Sequence, residues 1–363
     1  MAPKVDNRQA PGFQDPVRPS GADIRAFILE NVEEHPRQIS NVTANQFGIT
    51  RQAVHKHLQK LVLEKALVSQ GNTRDKSYSL APLFEWRHMY QVTPELAEDQ
   101  VWSRDVAPIL GNLPPNVMDI WHYCFTEMFN NAIDHSAGSE ITVKVVRNAA
   151  NTQIVLMDNG VGIFKKIQRA LNLLDERHAI LELAKGKLTT DPEKHTGQGI
   201  FFSSRLVDSF NILSGGVCFT HQFELEVDAV LEVPENGEGT AVVMKLNNHS
   251  ARTDKEIFDQ YSSGEDYGFT KTVVPVRLAQ YGEDKLISRS QAKRLLARVE
   301  RFRFVWFDFD GVESIGQAFA DEIFRVFAKS HPEIELASVH ACPEVQQVIN
   351  AVRSYWAAET GGV

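Results

Sequence analysis

The sequence predicts a multidomain α+β chain in which three folded segments follow one another. Its 363 residues exceed the length of one ordinary domain. Hydrophobic residues make up 43% and charged residues 23%, so most of the chain can build hydrophobic cores. The pattern changes along the chain from helices with two short strands, to helices and strands with Gly-rich turns, to a shorter strand–helix alternation. We therefore expect a small helical domain, a central α/β sandwich and a small C-terminal α/β domain.

The composition narrows the classes of function. No run approaches the roughly 18 apolar residues of a membrane span. Residues 1–20 are polar and Pro-rich without an apolar stretch, which predicts a disordered tail rather than a secretory signal. Cys124, Cys218 and Cys342 are widely spaced, which argues for a reducing compartment and against a disulfide framework. A cytoplasmic protein that does not contact membranes is expected.

Residues 21–83 predict three helices followed by a two-stranded hairpin. The third helix begins at a capping residue, Thr50, and carries an apolar stripe. The members of that stripe are Val54, Leu58, Leu61 and Val62. The stretch "ALVSQGNTRDKSYSL" then predicts two strands around a polar turn. This order of elements resembles the winged helix-turn-helix domain of bacterial regulators.

The charge of this block differs from that of the whole chain. The net charge is −9, yet residues 35–80 carry seven Lys or Arg against two acidic residues, a surplus of five. The resemblance implies DNA as a partner, with the third helix in the major groove and the hairpin on phosphates. A protein-interaction domain with a merely solvated charge is the alternative. The candidate DNA-binding residues are Thr50, Arg51, Gln52, His55, Lys56, Arg74 and Lys76.

Four polar motifs follow in the central segment. In the helix "TEMFNNAIDHSAG", Glu127, Asn131 and His135 are four residues apart and therefore share a face. The strand "NTQIVLMD" runs into the motif "DNGVG", which begins at Asp158. The turn "GQG" at 197–199 opens a helix whose amides can face phosphate oxygens. The pair "GT" at 239–240 precedes the last strand of the segment.

Together the four motifs resemble those of the Bergerat-fold (GHKL) ATPases, which include gyrase B, heat-shock protein 90, the mismatch-repair protein MutL and histidine kinases. The resemblance predicts an ATPase domain at 114–250 with a lid at 164–196 that closes over nucleotide. It implies ATP and Mg²⁺ as ligands. A linker helix is predicted at 84–113, before this domain.

The chemistry of the side chains suggests a role for each motif. Glu127 can polarise a water toward the γ-phosphate and is the catalytic candidate. Asn131 can offer its amide oxygen to Mg²⁺, and Asp158 can accept a hydrogen bond from the adenine amino group. The alternative is a solvated, capped helix face, and Asn130 is expected to play no part. The candidate nucleotide-binding residues are Asn131, His135, Asp158, Gly160, Gly162, Lys165, Lys166, His195, Thr196, Gly197, Gly199 and Thr240.

Residues 266–363 alternate strands and helices and predict the small α/β domain. The stretch "FDFDGVESIGQAFADEIFRVF" resembles the STAS domains of anti-sigma factor antagonists, and more so the STAS-like domain of unknown function found behind such ATPases. The antagonists carry a phosphorylatable Ser at the helix start, where this chain has Gly316, Gln317 and Ala318. Ser314 lies nearby but out of register. A docking role for a protein partner is therefore expected.

The predicted function is an ATP-binding and weakly ATP-hydrolysing regulator that binds DNA, acting in transcription or in a stress or defence response. The nucleotide state of the central domain would switch the winged helix. One alternative is an anti-sigma-type serine/threonine protein kinase or partner-switching module that acts through the STAS-like domain. Others are a strand-passage ATPase and a nucleotide sensor without hydrolysis. Homodimerisation, the DNA target and the direction of regulation stay open.

Overall fold

The computed structural model describes residues 20–72, 75–188, 197–225, 227–234, 237–262, 268–280 and 285–360. The chain forms two compact units: Met1–Leu83 with Asn148–Ala150, and Phe84–Arg147 with Asn151–Val363. The predicted tail, residues 1–20, lies outside the described residues except for Ser20. Across the described ranges, no helix combines the length and apolar character needed to cross a bilayer.

The first unit has three helices and an antiparallel hairpin, in the predicted order. They are α1 (Gly21–Asn31), α2 (Ile39–Phe47), α3 (Arg51–Leu63), β1 (Leu67–Gln70) and β2 (Ser77–Leu80). Ser20 caps α1 in a reciprocal capping box, and Gly48 ends α2 in the left-handed conformation at φ 61°. The core of the unit includes the fully buried Ile28, Val54 and Leu58. Its membership of the winged-helix class stays a prediction.

The prediction of a linker helix at 84–113 is wrong over its first third. Phe84–Gln91 forms strand β3, which pairs antiparallel with β4 (Glu140–Arg147). The sequence "FEWRHMYQ" places an aromatic ring at every second position, a period typical of a strand. Helical structure starts only after this strand. It comprises α4 (Glu98–Val101), a π-helical turn (Trp102–Val106) and α5 (Ala107–Leu110).

A seven-stranded antiparallel sheet organises the N-terminal part of the second unit. The strand order is β3-β4-β5-β9-β6-β7-β8. The remaining strands are β5 (Asn151–Asp158), β6 (Ser209–Ser214), β7 (Val217–Gln222), β8 (Val227–Glu232) and β9 (Thr240–Asn247). The helices are α6 (Pro115–His135), α7 (Ile163–Leu171), α8 (Glu176–Lys185), α9 (Gly199–Leu206) and α10 (Asp254–Tyr261). Helices α7 and α8 form the described part of the predicted lid.

The C-terminal part of the second unit contains a three-stranded parallel sheet in the order β10-β11-β12. Its strands are β10 (Lys271–Pro275), β11 (Phe304–Asp308) and β12 (Glu335–Val339). Its α-helices are α11 (Arg289–Leu296), α12 (Gln317–Asp321), α13 (Ala328–Ser330) and α14 (Pro343–Thr360). Short 3₁₀ segments lie at Val276–Ala279 and Val299–Arg301, and a π-helical segment at Glu322–Phe327.

An aromatic cluster joins the two parts of the second unit. Phe202 of α9 packs against Phe258 of α10, with ring centroids 4.6 Å apart. Phe201 lies 4.6 Å from Phe269, which in turn lies 5.2 Å from Phe302. These rings belong to one continuous hydrophobic core that extends from β3 to α14. The antiparallel sheet and the C-terminal domain therefore pack as one body rather than through a solvated linker.

Candidate functional site

One cavity of the second unit collects the polar motifs. Its volume is about 320 Å³, within the size range of small-molecule sites. The lining residues come from α6, the end of β5, the lid helices, the start of α9 and the neighbouring strands. They are Glu127, Met128, Asn130, Asn131, Ala132, His135, Ser136, Leu156, Asp158, Ile163, Lys166, Ile167, Leu183, Leu188, Gly197, Gly199, Ile200, Phe201, Ile212, Thr240 and Val242.

Helix α6 supplies the polar wall of the cavity. Its apolar side is fully buried, for example at Trp121 and Phe125, and this burial fixes the rotation of the helix. Glu127, Asn131 and His135 consequently lie half-buried at the edge of the core, where they line the cavity. Their alignment in the sequence therefore corresponds to one polar surface.

Asp158 is held at the end of β5 by two backbone amides. Its Oδ1 accepts hydrogen bonds from the N–H of Gly160 at 2.9 Å and of Thr240 at 3.3 Å. Burial raises the pKa of the Asp158 carboxyl, while these bonds and one from the Thr240 hydroxyl act against the rise. The Thr240 hydroxyl oxygen also accepts from the N–H of Ile163 at 3.0 Å. Thr240 thus ties the carboxyl to the first lid helix.

Two glycines of the motifs are required by close packing. Gly162 precedes α7 at φ 84°, a left-handed conformation that a side chain rarely adopts. At Gly199, the first residue of α9, a Cβ atom would lie 2.0 Å from Oε2 of Glu127. The absent side chain at Gly199 therefore lets the Glu127 carboxylate lie against the amino end of α9, where negative charge is favoured.

Leu188 and Gly197, the described residues on either side of 189–196, meet at the cavity. A Cβ atom on Gly197 would lie 2.5 Å from the carbonyl carbon of Leu188, so the two backbones are in close contact. Leu188 and Gly197 both line the cavity. Two predicted site residues, His195 and Thr196, fall within this segment and lie outside the described residues.

The two lysines of α7 differ in position. Lys166 lines the cavity, and its Nζ donates to the carbonyl oxygen of His135 at 2.7 Å. Partial burial lowers the pKa of Lys166, and Asp134 opposes this effect. Lys165 is exposed and does not line the cavity, so a nucleotide contact there stays a prediction. Adjacent helix positions point in different directions, and only one of the pair can face inward.

Besides Ser136, Asn130 is a polar lining residue that the sequence did not predict. It was expected to play no part, yet it lines the cavity beside Asn131. Its spacing of three residues from Glu127 puts it on the same side of α6, which is a helical signal available from the sequence. The apolar walls were also not predicted, since strand residues such as Leu156, Ile212 and Val242 look like ordinary core.

Comparison with protein families gives two matches. Residues 117–250 match the family described as histidine kinase-, DNA gyrase B- and HSP90-like ATPase. The chain contains a GHKL-type ATPase domain. Residues 291–345 match a STAS-like domain of unknown function. No curated protein matches the chain.

The GHKL domain implies nucleotide binding, usually with Mg²⁺, and the lining residues fit such a metal. Magnesium keeps several waters and takes one or two oxygen ligands from protein, the rest coming from phosphates. Asn131 offers an amide oxygen, and Glu127 one turn earlier offers a carboxylate. Within the described ranges, no group of three or more His, Cys, Asp or Glu side chains is arranged to hold a metal by itself. The donor set thus suits a metal that arrives with phosphate.

Most of the candidate DNA-binding residues lie on one exposed surface of the first unit. Thr50 caps α3, accepting from the N–H of Ala53 at 3.2 Å. The next candidates along α3 are all exposed, namely Arg51, Gln52, His55 and Lys56. Lys76 is half-buried, with its ammonium 5.2 Å from the centroid of the Tyr78 ring. Arg74 lies outside the described residues.

Proposed function

We propose that the cavity of the GHKL domain binds Mg²⁺–ATP and that its nucleotide state regulates DNA binding by the first unit. The observation that supports nucleotide binding is the convergence of four sequence motifs on one cavity. Glu127 and Asn131, Asp158, Gly199 and Thr240 are far apart in the chain and line the same space of about 320 Å³. If each motif had arisen by chance, their residues would not be expected to line the same cavity.

One end of the cavity suits an adenine ring. Asp158 presents a carboxyl that backbone amides orient, and Thr240 lies beside it with its hydroxyl already engaged in the same network. Leu156, Ile212 and Val242 provide apolar surface for the flat faces of the ring. An amino group donating to the buried carboxyl would be a charge-assisted hydrogen bond, which is strong and directional.

The other end suits the phosphates. Lys166 carries a positive charge at the cavity wall, and the start of α9 at Gly199 presents a helix amino end. Asn131 would hold Mg²⁺, which when bound supplies positive charge that stabilises the phosphate oxygens. Glu127 would accept a proton from an attacking water. This arrangement supports slow hydrolysis of ATP, which would end the ATP-bound state of the domain.

DNA binding by the first unit is supported by its surface. Arg51 and Lys56 are exposed on α3 together with Gln52 and His55. The surrounding residues 35–80 carry a surplus of five positive charges, opposite to the net charge of the chain. Phosphate neutralisation by such residues supplies most of the affinity of non-specific DNA binding.

A protein kinase acting on the predicted STAS position receives less support. Gly316 precedes α12, and a Cβ atom there would lie 2.7 Å from the Cα of Ile287. A Ser at this position would require the backbone near Ile287 to move. The packing therefore favours a docking role for the STAS-like domain over phosphorylation at its helix start.

The test measures nucleotide binding and DNA binding on the full-length chain. We expect ATP to bind only weakly without Mg²⁺. We also expect a labelled DNA duplex to bind with affinities that differ by about fivefold or more between the ATP, ADP and nucleotide-free states. Fluorescence anisotropy of a labelled nucleotide and of the labelled duplex, at one fixed salt concentration, measures the two affinities. Failure to bind nucleotide would refute the proposal, whereas equal DNA affinity in all three states would refute only the regulation.

A further inference from the structure

The second lid helix carries a buried ion pair that it shares with the C-terminal domain. Lys185 at the end of α8 is 1% exposed, and Glu182 is 5% exposed. The Lys185 ammonium donates to Oε1 of Glu182 at 2.7 Å, to the carbonyl of Ala297 at 2.8 Å and to that of Arg294 at 3.3 Å. Its three N–H groups therefore have three acceptors, of which two belong to the C-terminal domain.

Further contacts surround this pair. The Nε of Arg298 lies 3.6 Å from Oε2 of Glu182. The hydroxyl of Thr272 in β10 donates to the carbonyl of Lys185 at 2.7 Å. Arg298 has φ 66°, a left-handed conformation that costs energy for a residue with a side chain and persists only where the surroundings hold it. The ion pair thus fixes a strained turn of the C-terminal domain.

Lys187 continues the contact on the far side of Gly186. Its ammonium donates to the carbonyl of Arg301 at 2.8 Å, and its own carbonyl accepts from the Arg301 guanidinium at 2.9 Å. The ammonium also lies 4.7 Å from the centroid of the Phe302 ring. We call these contacts the lid latch. Its residues are Glu182, Lys185 and Lys187 on the lid, and Thr272, Arg298 and Arg301 on the C-terminal domain.

The lid latch lies directly behind the cavity wall. Leu183 and Leu188 line the cavity, and the latch residues Lys185 and Lys187 lie between them in the chain. Gly186 packs closely against the Phe269 ring, since a Cβ atom there would lie 2.7 Å from it. The stretch 183–188 therefore contains both residues that line the cavity and residues that contact the C-terminal domain.

We infer that the STAS-like domain positions the lid wall of the nucleotide cavity through the lid latch, and so sets nucleotide affinity from within the same chain. The inference rests on the proposed function of the cavity. If this wall is already ordered in the free protein, less conformational entropy is lost when a ligand binds. Removing one partner of the Lys185–Glu182 pair leaves the other as a buried charge without its nearest counter-charge. The contacts of the latch are therefore expected to form or break together.

Coupling of this kind is reciprocal. If the latch raises nucleotide affinity, bound nucleotide stabilises the latch by the same free energy. The strained turn at Arg298 and the following residues should then exchange their amide hydrogens more slowly in the presence of nucleotide. A ligand or partner of the STAS-like domain that disturbs this turn would lower nucleotide affinity without touching the cavity.

The experiment compares variants of the full-length chain. Glu182→Gln with Lys185→Met removes both charges of the buried pair, and the half-buried Arg298 guanidinium that faced Glu182 keeps access to solvent. Arg298→Gly removes the guanidinium and suits the left-handed backbone, so it carries little risk of misfolding. Lys293→Met is the matched control, because the Lys293 side chain is 69% exposed and its ammonium lies 3.8 Å from Glu322, outside the latch. Thermal unfolding verifies that each variant is folded.

Two readouts are taken: the dissociation constant of a fluorescent ATP analogue with Mg²⁺, and amide hydrogen exchange of residues 292–302 with and without nucleotide. We expect both latch variants to bind nucleotide about fivefold or more weakly than wild type, a modest allosteric coupling. Nucleotide should slow exchange in wild type and in the control but not in the latch variants.

The outcomes separate the two proposals. Unchanged or tighter nucleotide binding by folded latch variants would overturn this inference and leave the proposed function intact. Slowing of exchange in the latch variants equal to that in wild type would likewise overturn it. A wild-type chain that binds no nucleotide would overturn the proposed function, and this inference with it.

Discussion

Asp158 is the residue whose proposed role in binding nucleotide would cost the folded chain stability. Burial raises the pKa of its carboxyl, although two backbone amides donate to it. The folded chain therefore binds a proton more readily than the unfolded chain. The contribution of this group to folding stability falls as pH rises through the raised pKa. At neutral pH the ionised side chain is tolerated rather than favoured, which is typical of functional carboxylates.

Asp158→Asn should stabilise the nucleotide-free protein and weaken nucleotide binding. The amide oxygen can still accept from the N–H groups of Gly160 and Thr240, so the local fold is kept without a buried charge. Loss of a charged acceptor for adenine should weaken ATP binding about tenfold to a hundredfold. Differential scanning fluorimetry at neutral pH and titration calorimetry measure the two effects.

Asp119→Asn is the control for this change. Asp119 is exposed on α6 and does not line the cavity. Its substitution should leave both the melting temperature and the ATP affinity nearly unchanged. A melting temperature of Asp158→Asn at or below that of wild type would contradict the stability argument, even if ATP binding is lost.

Substitutions of Glu127 and of Asn131 should have separate effects, the first on ATP hydrolysis and the second on Mg²⁺-dependent ATP binding. Glu127→Ala should bind Mg²⁺–ATP and hydrolyse it about a hundredfold to ten-thousandfold more slowly, the usual contribution of a general base. Asn131→Ala should lose the dependence of ATP affinity on Mg²⁺, because the amide oxygen proposed to hold the metal is gone. Phosphate release and calorimetry with and without Mg²⁺ test the pair. Normal turnover in both variants would refute the assigned roles.

The sequence could predict the polar site residues because their spacing is local. The four-residue interval of Glu127, Asn131 and His135 defines a helix face without knowledge of the fold. Asn130 lies three residues from Glu127, a spacing that also places it on this side of the helix, and it lines the cavity although it was expected to play no part. Leu183 and Leu188 were not predicted at all, since only tertiary packing brings them to the cavity.

At the scale of elements, the first residue of α9 packs against the side chain of the catalytic candidate Glu127. Gly199→Ala would place a methyl group 2.0 Å from the present position of Oε2 of Glu127. The carboxylate would have to rotate away, while Ala suits a helix better than Gly. We expect ATP hydrolysis to fall at least about tenfold with the melting temperature unchanged or raised.

Gly268→Ala provides a matched control for that substitution. A Cβ atom on Gly268 meets only the Thr270 side chain at 3.7 Å, an ordinary contact. This variant should keep both stability and hydrolysis. Full ATPase activity in folded Gly199→Ala would show that the position of Glu127 against α9 is not the one used in catalysis.

The elements of the fold differ in how well the sequence predicts them. The amphipathic helices α3 and α6 are clear from their apolar stripes and match the structure. Strand β3 was taken for part of a helix, because an edge strand with mostly exposed side chains gives no strong apolar alternation. Its aromatic residues at alternate positions were the overlooked signal.

At the scale of the whole molecule, DNA binding should depend on the exposed face of α3. The double variant Arg51→Ala with Lys56→Ala should bind DNA duplexes more weakly, to a similar extent for different sequences. The slope of log affinity against log salt should fall by about two, because each lost phosphate contact contributes about one. Anisotropy titrations at several salt concentrations measure this slope.

Lys144→Ala is the control that shows whether loss of a lysine outside α3 also weakens DNA binding. Lys144 lies on β4 in the other unit and pairs with Glu85 at 2.8 Å. DNA affinity should be unaffected by its loss. If the double variant and the control have the same salt slope as wild type, the α3 face does not contact phosphates and the first unit serves another partner.

The contact of the lid with the C-terminal domain could not be predicted from the sequence. Lys185 and Arg298 belong to different domains and no motif links them, yet the fold brings the buried Lys185 and the half-buried Arg298 to one carboxylate. Sequence patterns define faces of single elements, whereas such a network depends on how complete domains pack. The wall of the cavity and the C-terminal domain are therefore joined by direct contacts.

Titration calorimetry of the full-length chain with ATP and Mg²⁺ tests the central claim most directly. We predict saturable binding of one nucleotide per chain, greatly weakened by omission of Mg²⁺ and in Asp158→Asn. Folded wild-type protein that gives no binding heat across several temperatures would contradict the claim. So would Asp158→Asn that binds as tightly as wild type.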